Sequence, residues 1–163
     1  MTGWFSLDGE VLKTRQQKER LRDDLWAYRF ALAGADAQVQ AAEIAHAVAR
    51  IRQFYPKPSS KLGGYALADL ITSEYGVALL LDNHVNRPGY VHGCVADAIS
   101  QCGITPKQLA EGDGSDELAV IDAYLNIRQS YGRSPMTDAA QRARVTAGHL
   151  MAGEVSQDRG SFA

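Results

Sequence analysis

Apolar residues recur three and four positions apart along most of the chain, whereas alternation of apolar and polar residues with a period of two is scarce. The three-and-four spacing places apolar side chains on one face of an α-helix. The pattern therefore predicts an all-α fold, with one domain spanning residues 1–163 as a bundle of six or seven helices. Residues 1–9 and 154–163 are expected to be extended tails.

Residues that cap or break helices divide this pattern into helical segments. The most apolar segment, residues 65–82, carries apolar side chains on several sides, which predicts a central, buried helix ending near His84. Thr105, Pro106 and Gln108 form a capping box with proline at the first helical position. The predicted helices run over residues 10–32, 36–55, 65–82, 91–101, 106–112, 116–131 and 137–153.

Composition excludes several classes of protein. Apolar residues make up 45% and charged residues 22% of the chain, which is typical of a folded protein rather than a disordered one. The 17 basic residues are matched by 19 acidic residues, so the chain lacks the positive charge expected of a nucleic-acid-binding protein. The longest apolar run, Val77–Leu81, is far shorter than the roughly 20 residues that cross a bilayer. We therefore expect no nucleic-acid partner and no membrane span.

The sequence leaves the cellular compartment open. Its first twelve residues lack a basic start followed by an apolar run, so we expect no secretion signal in this chain, and a cell-wall target would need another route of export. Cys94 and Cys102 lie eight residues apart. If one helix carries both, they are about 12 Å apart along its axis, which is too far for a disulfide, and only a loop that brings Cys102 back would allow one. We expect two free thiols and no disulfide framework.

Polar side chains are concentrated between Ser73 and Tyr90, where the predicted central helix meets a Pro-Gly turn. A helix on one side and a turn on the other can hold donors and acceptors in fixed positions, which favours a binding or catalytic site. The same side chains can instead satisfy the last helix carbonyls and the turn backbone, and both interpretations stay open. The candidates are Glu74 and Asp82 as catalytic residues and His84, Asn86, Arg87 and Tyr90 as substrate-binding residues.

The two candidate carboxylates do not suit the paired acids of a glycoside hydrolase. Those acids flank the sugar bond at roughly 5 to 9.5 Å. Glu74 and Asp82 are eight residues apart, or about 12 Å along one helix, so one of them would have to act as the acid alone. Glu74 stands among apolar residues, which suits a general acid, but we favour an ion pair with Arg87 or Arg128.

Arg128 falls on the apolar face of its predicted helix, seven residues after Ile121. An unpaired charge there would be very costly, so Arg128 needs an acid. Asp82 and Glu74 are the natural candidates. Either pair would connect the helix that carries Arg128 to the central helix.

No cofactor or metal is expected. His84, His92 and Asp82 could be combined into a metal site, but the loop between the histidines leaves their geometry unspecified, and the chain has no close His/Glu motif. The glycine pairs also lack the strand-to-helix context and the lysine of a phosphate-binding loop.

Four stretches resemble the C-terminal region of bacterial chitosanase-like or lysozyme-like proteins that are associated with peptidoglycan. They are LADLITSEYGVALLLDNHVNRPGYV, AYLNIR, MTDAAQRA and a terminal RGSF, and they lie between Tyr65 and Phe162. The resemblance implies a lysozyme-like helical fold and a carbohydrate substrate of the peptidoglycan or chitosan type. It also implies a glycan polymer as partner.

Together these observations predict a domain that binds or cleaves a cell-wall glycan. As an enzyme it would protonate the glycosidic oxygen with Glu74, while Asp82 or a water it orients stabilises the developing cation. The remaining candidates, His84, Asn86, Arg87 and Tyr90, would hold the sugar.

Two alternative functions belong to other classes. The first is a non-catalytic helical module that binds a protein partner in a phage-tail-like or secretion assembly. Its signature would be an exposed apolar patch formed by Trp4, Phe5, Trp26 and Phe30. The second is a DNA-binding protein, which would need one basic face, and acidic residues at positions 19, 23 and 24 dilute that face. Its basic residues would be Arg15, Lys18, Arg20 and Arg22.

Overall fold

The computed structural model describes residues 5–132 and 135–162, and apart from one two-stranded hairpin the regular secondary structure of these residues is helical, which confirms the all-α prediction. Cα packing divides the chain into an N-terminal unit, Met1–His46, and a C-terminal unit, Ala47–Ala163. None of the helices in the described residues is long and apolar enough to cross a membrane.

The described residues contain nine α-helices, two short strands and two 3-10 helices. The strands are β1 (Phe5–Leu7) and β2 (Glu10–Leu12), and the 3-10 helices span Ser60–Leu62 and Pro88–Tyr90. The helices are α1 (Arg15–Glu19), α2 (Asp24–Gly34), α3 (Ala37–Phe54), α4 (Leu67–Leu70), α5 (Glu74–Asn86), α6 (Val91–Gln101), α7 (Pro106–Glu111), α8 (Gly114–Ser130) and α9 (Ala139–Met151).

The predicted helix over residues 10–32 is wrong, because local turn and cap signals divide this part of the chain. β1 and β2 form an antiparallel hairpin in which Ser6 lies opposite Val11. A turn with positive φ at Asp8 and Gly9 joins them, so part of the predicted N-terminal tail is a strand. The Thr14 and Asp23 side chains then accept amide hydrogen bonds that start α1 and α2.

The predicted central helix over residues 65–82 is also two helices. The chain is extended at Ile71, and the hydroxyl of Ser73 then accepts a hydrogen bond from Gly76 N to begin α5. A Cβ at Gly76 would lie 2.5 Å from Ile71 Cγ2, so only glycine lets α4 fold back so closely on α5. Together with the division of residues 10–32, this break explains why nine helices replace the predicted six or seven.

The remaining helices follow the predicted ones closely. α6 covers the predicted residues, and the Thr105 capping box starts α7 as expected. α8 begins two residues early, because Asp113 rather than Ser115 supplies the N-cap oxygen. α9 begins after Asp138, whose side chain makes no capping hydrogen bond.

The hydrophobic core lies in the C-terminal unit, where α6 packs along α8, and α5 packs against α6 and α9. Its side chains are contributed by every helix from the end of α3 to α8 and are almost completely removed from solvent. Those of this unit with 0% exposure are Leu62, Leu67, Leu70, Val91, Ala98 and Leu109.

The segment predicted as a C-terminal tail lies against the corner between α4 and α5. The amide of Phe162 donates to the carbonyl of Thr72 at 2.9 Å, and the amide of Tyr75 donates to the carbonyl of Ser156 at 2.9 Å. The ring of Phe162 packs edge-on against Tyr55, with 5.6 Å between ring centroids. These contacts place residues 155–162 beside the first turn of α5.

Candidate functional site

Glu74 is the first residue of α5 and is half-buried. Its Oε2 accepts a hydrogen bond from Ser156 N at 2.7 Å, and its own amide donates to Ser161 Oγ at 3.0 Å. Its Oε1 accepts no hydrogen bond from the described residues. The predicted ion pair with Arg87 or Arg128 is wrong, because the C-terminal segment binds Glu74 instead.

An open groove of about 440 Å³ lies beside this carboxylate. We call it the Glu74 groove. Glu74, the end of α9 and the segment that follows α9 line this groove. The lining residues are Glu74, Leu150, Gly153, Val155, Ser156, Gln157 and Asp158.

A second hollow, of about 280 Å³, shares Glu74 and Val155 with the Glu74 groove. It extends along α5 over Val77 and Ala78 to Leu81, with Phe162 on the opposite side. Glu74 therefore lies where a polar groove joins a largely apolar hollow. This arrangement places a carboxylate next to both hydrogen-bonding and apolar surface.

A buried ion pair holds the wall of the Glu74 groove in place. Arg159 Nη1 lies 2.7 Å from Glu117 Oε2, and the Glu117 side chain is only 1% exposed. Glu117 Oε1 also accepts hydrogen bonds from the amides of Thr72 and Ser73 at 3.0 and 2.8 Å. One carboxylate from α8 thus fixes both the C-terminal segment and the break between α4 and α5.

The guanidinium of Arg159 also bonds to backbone carbonyls of two further helices. Nη1 donates to Leu70 O at 2.9 Å, and Nη2 donates to Ala110 O at 3.1 Å. Nearby, Tyr55 donates its hydroxyl to Ile71 O at 2.7 Å. Burial, reinforced by Glu117, raises the pKa of Tyr55 to about 12, so this hydroxyl stays protonated as a donor.

Asp82 is bound by two guanidinium groups. Arg128 Nη1 lies 3.0 Å from Oδ2, and Arg142 Nε lies 2.7 Å from Oδ1. Arg128 is 1% exposed, so the prediction that it needs an acid is confirmed, and the acid is Asp82. Asn86 also donates to Oδ1 at 3.2 Å. Both oxygens of Asp82 are therefore occupied, which leaves this carboxylate poorly placed to stabilise a sugar cation.

The other predicted site residues lie at the far end of α5. The ring of His84 stacks on Phe54, with 4.1 Å between centroids, and burial followed by repulsion from nearby cations lowers the pKa of His84. Asn86 Nδ2 donates to the Asp82 carbonyl at 2.8 Å. The guanidinium of Arg87 lies 4.3 Å from the centre of the Tyr90 ring. Each of these side chains thus makes a contact within the fold.

The length of α5 separates Glu74 from this second group. Asn86 is twelve positions after Glu74 on the same helix, which corresponds to about 18 Å along the helix axis. The predicted cluster therefore falls into two places, with Glu74 in its groove and Asp82 to Tyr90 around the end of α5.

The described residues contain no group of three or more His, Cys, Asp or Glu side chains that could hold a metal ion. Both cysteines are free, as predicted. Burial raises the pKa of Cys94 to about 11, so its thiol is protonated at neutral pH.

The N-terminal features of the alternative functions are only partly described. Trp4 and the side chain of Phe5 lie outside the described residues. Trp26 and Phe30 contact each other with ring centroids 5.8 Å apart, and Phe30 is 51% exposed. The basic side chains largely pair with acids, among them Arg15 with Glu19, Arg20 with Glu10, and Arg22 with Glu19.

Sequence reasoning missed Glu117, Arg159 and Ser156 as site residues. A signal for Glu117 was present, because it lies four residues before Ile121 on the same apolar face that identified Arg128. A charge at such a position requires a partner. The partner, Arg159, is 42 residues away, and no local pattern connects the two.

Comparison with known proteins gives no relative for this chain: no family model, no curated protein and no solved structure matches it.

Proposed function

We propose that this chain binds a cell-wall glycan of the peptidoglycan or chitosan type in the Glu74 groove. The observation that carries the proposal is the hydrogen bonding of the Glu74 carboxylate. One oxygen is fixed by Ser156 N at 2.7 Å, and the other has no partner among the described residues. Carboxylate oxygens are strong acceptors for hydroxyl and ammonium groups, which are the donors that sugars present.

The walls of the groove suit a sugar chain in a second respect. Ser156, Gln157 and Asp158 supply polar groups, while Leu150 and Val155 supply apolar surface. Binding sites commonly combine apolar walls with a few placed polar groups that fix the orientation of the ligand. The hollow that continues along α5 gives the groove room for more than one sugar unit.

Cleavage would use Glu74 as the general acid that protonates the glycosidic oxygen. Asp82 is not part of this proposal, because two arginines occupy it. Asp158, which also lines the groove, is the carboxylate that would assist a water or the developing cation. Glu154 is less suited, because its Oε2 is 2.5 Å from His149 Nδ1.

The test is to incubate the protein with purified peptidoglycan and with chitosan, and to measure bound protein and the mass of soluble products. We expect wild type to bind one of these polymers and Glu74→Gln to bind at least tenfold more weakly. Glu111→Gln is the matched control, because Glu111 is an exposed glutamate on α7. Loss of products in Glu74→Gln alone would assign cleavage as well. Equal binding by wild type and Glu74→Gln contradicts the proposal.

The second candidate function, a protein-interaction module, is favoured by the surface of α2. None of its residues is buried, and four of its large apolar side chains are exposed. These are Leu25, Tyr28, Phe30 and Leu32, with exposures of 55%, 62%, 51% and 55%. This function predicts a partner retained by wild type and lost by a Leu25→Ser/Leu32→Ser variant, with no release of sugar products.

A further inference from the structure

The Glu74 groove is formed largely by the segment that follows α9. We call residues 153–162 the C-terminal strap. Of the seven residues that line the groove, all but Glu74 and Leu150 belong to this strap. The groove therefore exists only while the strap lies against α5.

The strap is attached to the rest of the unit by hydrogen bonds, by the packing of Phe162 on Tyr55 and by the Arg159–Glu117 ion pair. Three hydrogen bonds lie beside the first turn of α5, each 2.9 Å long. Two join backbone atoms, from Tyr75 N to Ser156 O and from Phe162 N to Thr72 O, and one runs from Gly160 N to the side-chain oxygen Thr72 Oγ1. Partly exposed hydrogen bonds of this kind exchange readily with water and contribute little individually.

Arg159 makes the contact that differs in kind from the others. Its guanidinium is bound to Glu117, to Leu70 O and to Ala110 O, and its side chain is only 18% exposed. A carboxylate as buried as Glu117 is costly without a cation, and Arg159 is its ion-pair partner among the described residues. The pair thus favours the docked strap strongly.

We propose that docking of the strap through the Arg159–Glu117 pair assembles the Glu74 site, and that Arg159 is its positioning residue. The coupling runs from Arg159 along the strap to Ser156, whose amide holds Glu74 Oε2 at 2.7 Å. With the strap undocked, Glu74 loses this hydrogen bond and the groove loses one wall. The ligand of the site rests on the proposed function, whereas the docking itself does not.

The first test measures docking without any glycan. Amide hydrogen exchange is compared between wild type, Arg159→Ala and the control Arg144→Ala, which removes an exposed arginine of α9. We expect the amides of Tyr75, Gly160 and Phe162 to exchange at least tenfold faster in Arg159→Ala, and amides in α6 to change less. Unchanged exchange at the strap, or equal acceleration everywhere, overturns the proposal.

Two more conservative substitutions, Glu117→Gln and Arg159→Lys, test the same contact if Arg159→Ala does not fold. Glu117→Gln keeps an oxygen for the amides of Thr72 and Ser73 but removes the charge that binds Arg159. Arg159→Lys keeps the charge and loses the guanidinium geometry. We expect strap exchange to increase in both, with Arg159→Lys closer to wild type than Arg159→Ala. Strap protection equal to wild type in Glu117→Gln also overturns the proposal.

The second test asks whether Arg159 acts on Glu74 through Ser156. When Glu74→Gln is made in an otherwise wild-type chain, the backbone amide resonance of Ser156 should shift, because the substitution changes the acceptor of that amide. The same substitution in an Arg159→Ala background should leave this resonance unmoved. A shift of equal size in both backgrounds overturns the positioning role. If the wild-type chain binds no glycan, the proposed function is refuted. The role of Arg159 in positioning Ser156 and Glu74 is tested without glycan and would still stand.

Discussion

The guanidinium of Arg128 lies 3.0 Å from the carboxylate of Asp82, and it also donates from Nη1 to Leu79 O and from Nη2 to Ala139 O. α5, α8 and the start of α9 meet at this one buried side chain. Asp82, which the sequence suggested as a catalytic residue, therefore has a structural role: it pairs with the arginine that joins these three helices.

We predict that Arg128→Met strongly destabilises the fold. It leaves the half-buried Asp82 with Arg142 alone and removes the donor from two buried carbonyls, so the free energy of unfolding should fall by about 3 to 5 kcal/mol. Urea denaturation measures the change. Arg144→Met, at an exposed position of α9, is the control and should change it by less than about 0.5 kcal/mol. A loss below about 1 kcal/mol in Arg128→Met would contradict the structural role.

Two helix glycines offer a matched pair of substitutions with opposite expected signs. A Cβ at Gly76 would lie 2.5 Å from Ile71 Cγ2 and 2.9 Å from Ser73 Oγ, whereas a Cβ at Gly148 meets nothing within 4 Å. Gly76→Ala should therefore destabilise the protein by about 1 to 3 kcal/mol through crowding. Gly148→Ala should stabilise it by about 0.5 to 1 kcal/mol through helix propensity.

Thermal denaturation of the two alanine variants checks this pair. The midpoint should fall for Gly76→Ala and rise for Gly148→Ala. If the two midpoints shift by similar amounts in the same direction, the close approach of Ile71 to α5 does not require glycine at position 76.

The pH dependence of stability should carry a contribution from His84. Burial, followed by repulsion from Arg50 and His92, lowers the pKa of His84 below its ordinary value. The unfolded chain therefore binds a proton at a pH where the folded chain does not. Stability should fall as the pH drops below about 6.5, the ordinary pKa of histidine, toward the lowered pKa.

Urea denaturation at several pH values between 7.5 and 5.5 measures this contribution. His84→Phe keeps a ring stacked on Phe54, and no hydrogen bond is lost at His84 Nδ1, which is buried without a partner. Its stability should depend less steeply on pH than that of wild type. Identical slopes for the two proteins would remove His84 from this effect.

Local signals in the sequence predict much of the fold. The capping box at Thr105 and the breaker at Gly103 act within a few residues, so α6 and α7 could be predicted closely. The break before α5 could not, because Glu117 binds the backbone of Thr72 and Ser73 from a position more than forty residues away. Helix spacing alone makes residues 65–82 look continuous.

The site was predictable only in part, for a related reason. Closeness in sequence suggested one cluster from Glu74 to Tyr90, yet a helix places its two ends about 18 Å apart. The groove instead depends on two long-range contacts: Ser156 binds Glu74 of α5, and Arg159 binds Leu70 of α4 and Glu117 of α8. The need of Arg128 for an acid was predictable, because a buried charge requires a partner wherever that partner lies in the sequence.

Binding of the glycan in the Glu74 groove can be measured by mapping amide resonances during titration with a soluble peptidoglycan or chitosan fragment. We predict that the largest shifts occur at Glu74, Ser156 and Asp158 and that Glu74→Gln weakens the titration at least tenfold. Shifts centred instead on Asn86 to Tyr90, or no shifts with either fragment, would contradict the account.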